Sequence, residues 1–114
     1  MYYIYVKQII YYKHTNGKVP VVDWIKSLDL STKKRIINRL ARIAENDNFG
    51  DYKQIDKDIS ELRFKFGSGY RIYYSEFENT VIVLLNAGDK KLQNKDIEKA
   101  KEYLNIWRKN NDRI

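Results

Sequence analysis

The sequence predicts an α+β domain: a small twisted, mainly antiparallel sheet with an N-terminal helical hairpin packed on one face and a C-terminal helix. Three observations carry that expectation. Apolar residues recur at helical spacing over residues 20–45 and again beyond residue 94. β-branched and aromatic residues fill the first dozen positions and the stretch from 59 to 87. Glycine and asparagine turns divide that later stretch at the spacing of a meander. With 114 residues, no repeat and no low-complexity linker, residues 1–114 form one domain.

Residues 2–12 (YYIYVKQIIYY) read as a strand, followed by a turn at Thr15-Asn16-Gly17-Lys18. Pro20 suits a first helical turn, and Val21, Trp24, Ile25 and Leu28 follow at i, i+3, i+4 and i+7, which predicts a short helix over 20–28. Ser31 then caps a second helix running to Glu45. Its apolar stripe is Ile36, Ile37, Leu40, Ile43 and Ala44, and its other face carries Lys33, Lys34, Arg35, Arg39 and Arg42. A weak strand at 52–55 leads to strands over 59–66, 70–77 and 81–87, turned by Gly67-Ser68-Gly69 and by Glu78-Asn79-Thr80. Val81–Ala87 (VIVLLNA) is almost wholly apolar, as a strand covered on both faces must be. The first strand returns to the sheet through a helical crossover, so it should lie beside this last one. Asn94 caps the final helix, with Ile97, Ala100, Tyr103, Leu104 and Trp107 as its stripe. The helical hairpin covers one face, and the other face is expected to stay open.

Composition narrows the function classes. The chain has no cysteine, which removes disulfides, thiolate catalysis and zinc–thiolate sites. No apolar run approaches the ~20 residues of a membrane span, and no signal-peptide pattern is present, so a cytoplasmic protein without membrane contact is expected. The net charge of +7 points to a polyanionic partner: nucleic acid, ribosome or an acidic protein. Ten tyrosines interleaved with Lys and Arg suit base stacking, and equally suit half-buried strand positions.

The hairpin around Gly67-Ser68-Gly69 is the strongest candidate site. A two-residue loop would put Phe64 and Phe66 on the face of Arg71 and Tyr73. A three-residue loop instead groups Leu62, Phe64, Phe66, Ile72 and Tyr74 on the core side, and Arg63, Lys65, Arg71 and Tyr73 on the open side. Only the second register separates apolar from polar residues, and a glycine at 69 suits its turn. Three cations on adjacent strands repel unless an anion joins them; the alternative is a solvated face on which Glu61 offsets Arg63. Lys90 and Lys91, in the loop that leaves the buried strand, could extend this surface, while Asp89 satisfies backbone groups there. His14, the only histidine, lies beside a remote turn and is read as idle. Asp56, Asp58 and Glu61 lack the spacing of a metal loop, so no metal and no cofactor is expected.

Several segments together resemble the HigB-like addiction-module toxins of the RelE/ParE superfamily: Pro20 with Asp23-Trp24-Ile25 and Leu28, Arg39-Leu40-Ala41-Arg42, Gly50-Asp51, Ser60-Glu61-Leu62-Arg63, Gly67-Ser68-Gly69-Tyr70-Arg71, Leu84 to Gln93, and Asp96-Ile97. The resemblance spans nearly the whole chain in order. It implies a toxin of a type II toxin–antitoxin pair, held by a cognate antitoxin of helix-turn-helix type. It further implies a ribosome-dependent, metal-independent endonuclease that cuts mRNA in the A site and so inhibits translation. The alternative within the superfamily is a ParE-like, non-catalytic inhibitor of DNA gyrase. By resemblance, Arg71 is the phosphate-binding arginine after Gly-Tyr, and Lys90 stands where better-known relatives carry arginine. The paired basic residues of the incoming strand fall on Arg63 and Lys65 if the turn is one residue shorter, and otherwise on Leu62 and Phe64. A late tyrosine has no counterpart; Gln93 stands near its place.

Cleavage by attack of a ribose 2′-OH on the adjacent phosphate needs a proton acceptor, a clamp for the growing charge and a proton donor. The catalytic assignments are Lys65 as acceptor, with Arg63 and Arg71 expected to lower its pKa, Arg71 as clamp and Lys90 as donor. Arg63, Tyr73 and Lys91 are assigned to substrate binding.

Overall fold

The computed structural model describes residues 6–111, so the start of the predicted first strand, residues 2–5, lies outside the described residues. The elements are β1 (Gln8–Tyr11), α1 (Pro20–Lys26), α2 (Leu30–Asn46), β2 (Tyr52–Gln54), β3 (Ser60–Arg63), β4 (Arg71–Phe77), β5 (Val81–Gly88), a 3-10 turn (Lys90–Leu92) and α3 (Gln93–Asn110). The strands form one sheet in the order β1-β5-β4-β3-β2. β1 runs parallel to β5, as the helical crossover requires, and the other pairs are antiparallel. β5 thus lies in the interior of the sheet, between β1 and β4, and Ile82, Val83, Leu84 and Leu85 are fully buried.

Two layers of core flank the sheet. On one side α1 and α2 press Val21, Ile25, Ile36, Leu40 and Ile43 onto Leu62, Phe64, Ile72, Tyr74, Ile82 and Leu84. On the other, α3 lays Ala100, Leu104 and Trp107 over Tyr73, Val83 and Leu85. The expected open face is therefore covered along much of its length. Alternation along β4 and β5 sends large apolar residues to both sides, and each side needs its own cover.

Local differences from the expected boundaries have simple causes. Asp29, not Ser31, caps α2: its carboxylate accepts from the Thr32 N–H at 2.7 Å. That hydrogen bond holds the Asp29 carboxyl below its ordinary range. Ile37, placed in the apolar stripe, is exposed. Asn94 does not cap the last helix, which starts at Gln93 with Leu92 at its N-cap and no side-chain capping bond; Asp89 instead caps the preceding 3-10 turn, accepting from the Lys91 N–H at 3.0 Å.

The β3–β4 register keeps the predicted faces but not the predicted loop. Arg63 faces Arg71, Leu62 faces Ile72 and Glu61 faces Tyr73, and the Phe64 N–H donates to the Tyr70 carbonyl. Residues 65–69 therefore make the connection, in place of 67–69. Lengthening the loop by an even number preserves parity, so Leu62, Phe64, Ile72 and Tyr74 still turn to the helices. Lys65, however, leaves the strand and enters the loop. Gly67 has φ +68°, and a Cβ there would strike the Tyr70 ring that folds back over it.

Because α3 covers the second face, Trp107→Ala should cost about 3–5 kcal/mol. Chemical denaturation measures it; a loss below ~1 kcal/mol would show that α3 is not packed as described.

Candidate functional site

Glu61 and Arg71 lie at the end of the sheet near the start of α3. Glu61 is 1% exposed and Arg71 13%, with 3.2 Å between Arg71 Nε and Glu61 Oε2. The Nε–H is not aligned with that oxygen and makes no hydrogen bond, so the contact is ionic. Arg71 Nη1 donates to the Gly69 carbonyl at 2.7 Å, and Gln93 Nε2 donates to Glu61 Oε2 at 3.1 Å. Arg71 is on the predicted face but not in the predicted setting. The sequence puts it on the open side of the sheet. It is instead largely buried beside a buried carboxylate.

Glu61 also changes partner. The alternative of a solvated face had Glu61 offset Arg63; the structure pairs Arg63 with Asp51, at 3.2 Å, and leaves Glu61 for Arg71. Tyr73 has no exposed surface, and its phenol finds no hydrogen-bond partner. Burial, reinforced by the negative charge of Glu61, pushes its pKa upward. As a residue under α3, it leaves the substrate-binding set. The cause is the same α3 cover that the sequence did not reveal.

A β-bulge shapes the floor of the site. Tyr73 faces Asn86 while Tyr74 faces Leu84, so Leu85 is the extra residue. The shift lets Asn86 Nδ2 donate to the Asp96 carbonyl at 3.1 Å. A Cβ on Gly88 would collide with the Asp96 carboxylate, so only glycine lets α3 start this close to β5. Burial first, then the nearby charge of Asp89, raises the pKa of Asp96.

The 65–69 connection docks on the turn after β5. The Lys90 N–H donates to the Ser68 carbonyl at 3.3 Å, and Ser68 Oγ donates to Asp89 Oδ2 at 3.3 Å. A Cβ on Gly69 would lie 3.2 Å from Arg71 Nη1 and 3.1 Å from Lys90 Cβ. The structure thus brings Arg71 and Lys90 together around Gly69, with Lys90 and Lys91 exposed beside them. Lys65 is exposed on the far part of the loop and, with Arg63, lines a different groove against α2.

Arg35, Arg39 and Arg42, expected only as part of the polar face of the second helix, line that groove. It is about 460 Å³, lined by these three arginines, Arg63 and Lys65. The spacing i, i+4, i+7 was the available signal. The remaining candidates have separate tasks. Asp56 accepts from the Asp58 and Ile59 N–H groups, and Asp58 pairs with Arg108 at 3.0 Å. The Nδ1 of His14 lies 2.8 Å from the Tyr12 hydroxyl, away from the hairpin, with its ring 5.0 Å from that of Tyr103.

Residues 23–105 match the family of phage-derived Gp49-like proteins (DUF891). The chain belongs to the Gp49-like family. An uncharacterised protein of Haemophilus influenzae is 40% identical over 80 residues, covering 69% of this chain and 80% of that protein. Among solved structures, a mutant of the E. coli toxin RelE in the free state superposes with a TM-score of 0.56 at 12% identity. The match covers 82% of this chain and 97% of RelE. The Gp49-like chain therefore has the α+β fold of RelE, the fold class expected from its sequence.

In this Gp49-like chain, Arg71→Ala should cost about 3–5 kcal/mol, because it strands the Glu61 carboxylate in the interior. Adding Glu61→Gln should recover much of that loss. Melting of the single and double variants tests this; equal stability of both would deny the coupling.

Proposed function

We propose that this Gp49-like protein is the toxin of a type II toxin–antitoxin pair, of the HigB-like kind. In this reading it acts in the cytoplasm as a ribosome-dependent, metal-independent mRNA endonuclease. The observation that carries the reading is the meeting of Arg71 and Lys90 around Gly69, beside exposed Lys91. A guanidinium fixed by Glu61 and the Gly69 carbonyl is pre-aimed, which is what a clamp for a phosphorane needs. The ribose 2′-oxygen forms a bond to the adjacent phosphorus, and the bond to the 5′-oxygen breaks. Lys90 supplies a proton to the departing 5′-oxygen, and the 2′-OH proton passes to solvent, because Lys65, the acceptor expected from the sequence, lines the α2 groove with Arg63 away from Arg71. Lys91 contacts a substrate phosphate. The recess at this end, about 340 Å³ and lined by residues 90–95, is open to solvent, so positioning falls to the ribosome. The partner is a cognate antitoxin of helix-turn-helix type, with an acidic segment to meet the +7 chain.

One observation favours the ParE-like alternative, a non-catalytic inhibitor of DNA gyrase. Glu61 already offsets the charge of Arg71, which lowers its attraction for phosphate.

Expression of the chain without an antitoxin should arrest growth, and mapping transcript 5′ ends should show new cuts within codons. Growth arrest without cuts, but with lost DNA supercoiling, would replace the endonuclease by the gyrase inhibitor. Arg71→Lys keeps a cation beside Glu61 but loses the bidentate fork, so cleavage should fall by about two to three orders of magnitude. His14→Ala should cleave as the parent does. Full activity of Arg71→Lys together with loss in His14→Ala would move the site to the N-terminal turn.

A further inference from the structure

We infer that the arginine groove between α2 and the start of the β3–β4 hairpin binds the phosphodiester backbone of structured RNA, apart from the Arg71–Lys90 end. The inference rests on the RNA-directed reading above. Arg35, Arg39 and Arg42 recur at i, i+4 and i+7, so they share one face of α2, with the outer two separated by about 10 Å of helix. Arg63 and Lys65 supply the opposite wall. Asp51 is the single acid lining the groove, and Arg63 already holds it at 3.2 Å.

The five cations are not equivalent. Arg39 is the floor. It donates through Nε and Nη2 to the Phe49 carbonyl, through Nη2 also to the Asp51 carbonyl, and through Nη1 to the Arg63 carbonyl. Its donors are committed, but its charge remains. Arg35 is exposed and lies over the Phe66 ring, its guanidinium carbon 3.9 Å from the centroid. Stacking on Phe66 fixes the guanidinium plane and leaves its edge N–H groups outward. Arg42 and Lys65 are exposed, and among the described residues no ion pair engages Arg35, Arg42 or Lys65. A groove walled by unpaired cations over a committed, charged floor is a site for an extended anion.

The aromatic residues decide which anion. Phe64 is buried under Arg39, and the Phe66 face is taken by Arg35. No ring in the groove is open for stacking a base, so bases are not read there. An acidic helix would need apolar pockets for its anchors, and guanidinium groups cover the apolar floor. What fits is a rigid run of phosphates, as an A-form RNA helix presents, recognised by backbone and shape.

The test uses the full chain, a 20-base-pair RNA duplex of arbitrary sequence and poly-L-glutamate, with fluorescence anisotropy over a salt series. Arg35→Gln/Arg42→Gln should weaken duplex binding at least tenfold and reduce the slope of log K against log salt by about 2. Lys90→Ala should leave most of that affinity in place. Arg42→Gln alone, at an exposed position, should lower the slope by about 1 and guards against misfolding of the double variant. Duplex binding unchanged in both variants, or binding of poly-L-glutamate in preference to the duplex, overturns the inference. Arginine-dependent duplex binding without transcript cleavage would sink the endonuclease and leave the groove standing. Cleavage together with arginine-independent binding would do the reverse.

Discussion

A carboxylate in the interior keeps its charge only if a cation and hydrogen-bond donors replace the water it lost, and Glu61 imposes that demand at the meeting point of β3, β4 and α3. Arg71 answers from β4, and Gln93 from the first residue of α3. Meeting Glu61 also fixes where the Arg71 guanidinium can go, and its Nη1 closes on the Gly69 carbonyl. The loop so held presents the Ser68 carbonyl to the Lys90 N–H. One desolvated charge therefore ties together the end of the hairpin, the start of the last helix and the turn that carries Lys90. Arg71 is a structural residue before it is anything else, and any chemistry it performs uses a side chain whose orientation the fold has already settled.

The bulge at Leu85 serves the same end of the molecule. Without the extra residue, β5 would carry strict alternation through to Gly88, and Leu85 and Asn86 would face opposite sides. With it, Leu85 joins the core under α3 and the Asn86 amide still reaches the Asp96 carbonyl. Gly88 then admits the Asp96 carboxylate at close range. The first turn of α3 is drawn onto the sheet edge, and the covering of Tyr73 follows from it.

Much of this was legible in residue order. The change of period from helix to strand, the buried β5, and the pairing of β1 with β5 all follow from pattern and connectivity, and the structure has them. The faces of β3 and β4 were legible because parity survives a change of loop length from 67–69 to 65–69. The loop length itself was not legible: Phe66 and Tyr70, read as strand residues, pack edge to face with ring centroids 6.2 Å apart and pull the chain out of the ladder. That packing took Lys65 away from Arg71. The cover over Tyr73 was illegible for a different reason. The apolar stripe of α3 was evident, but a stripe does not say which face of a sheet receives it. The groove on α2 was missed because an arginine on a polar stripe reads as solvated. Three carbonyl groups, at Phe49, Asp51 and Arg63, turn Arg39 inward, and their convergence is a property of the folded chain alone.

A net charge of +7 suggests a uniformly basic body, yet the folded chain spends many of its cations internally. Lys7 is buried between Glu76 and Asp47, Arg39 is bound to carbonyls, Arg71 is held by Glu61, Arg63 by Asp51 and Arg108 by Asp58. Lys7 shows the cost of such use: burial works against its charged form, and only the two carboxylates hold its pKa above the ordinary value. Partner recognition therefore cannot be apportioned by the sum. It falls to cations that are exposed and free of ion pairs among the described residues, of which Arg35, Arg42 and Lys65 line the α2 groove and Lys90 and Lys91 flank Gly69. Two separate cationic surfaces allow affinity and chemistry to be set independently: in the proposed reading, a shape-reading contact at α2 would hold an RNA without touching Arg71. Under the proposed endonuclease reading, that separation would let the anchoring charge meet a large RNA assembly while Arg71 meets the strand that the assembly presents.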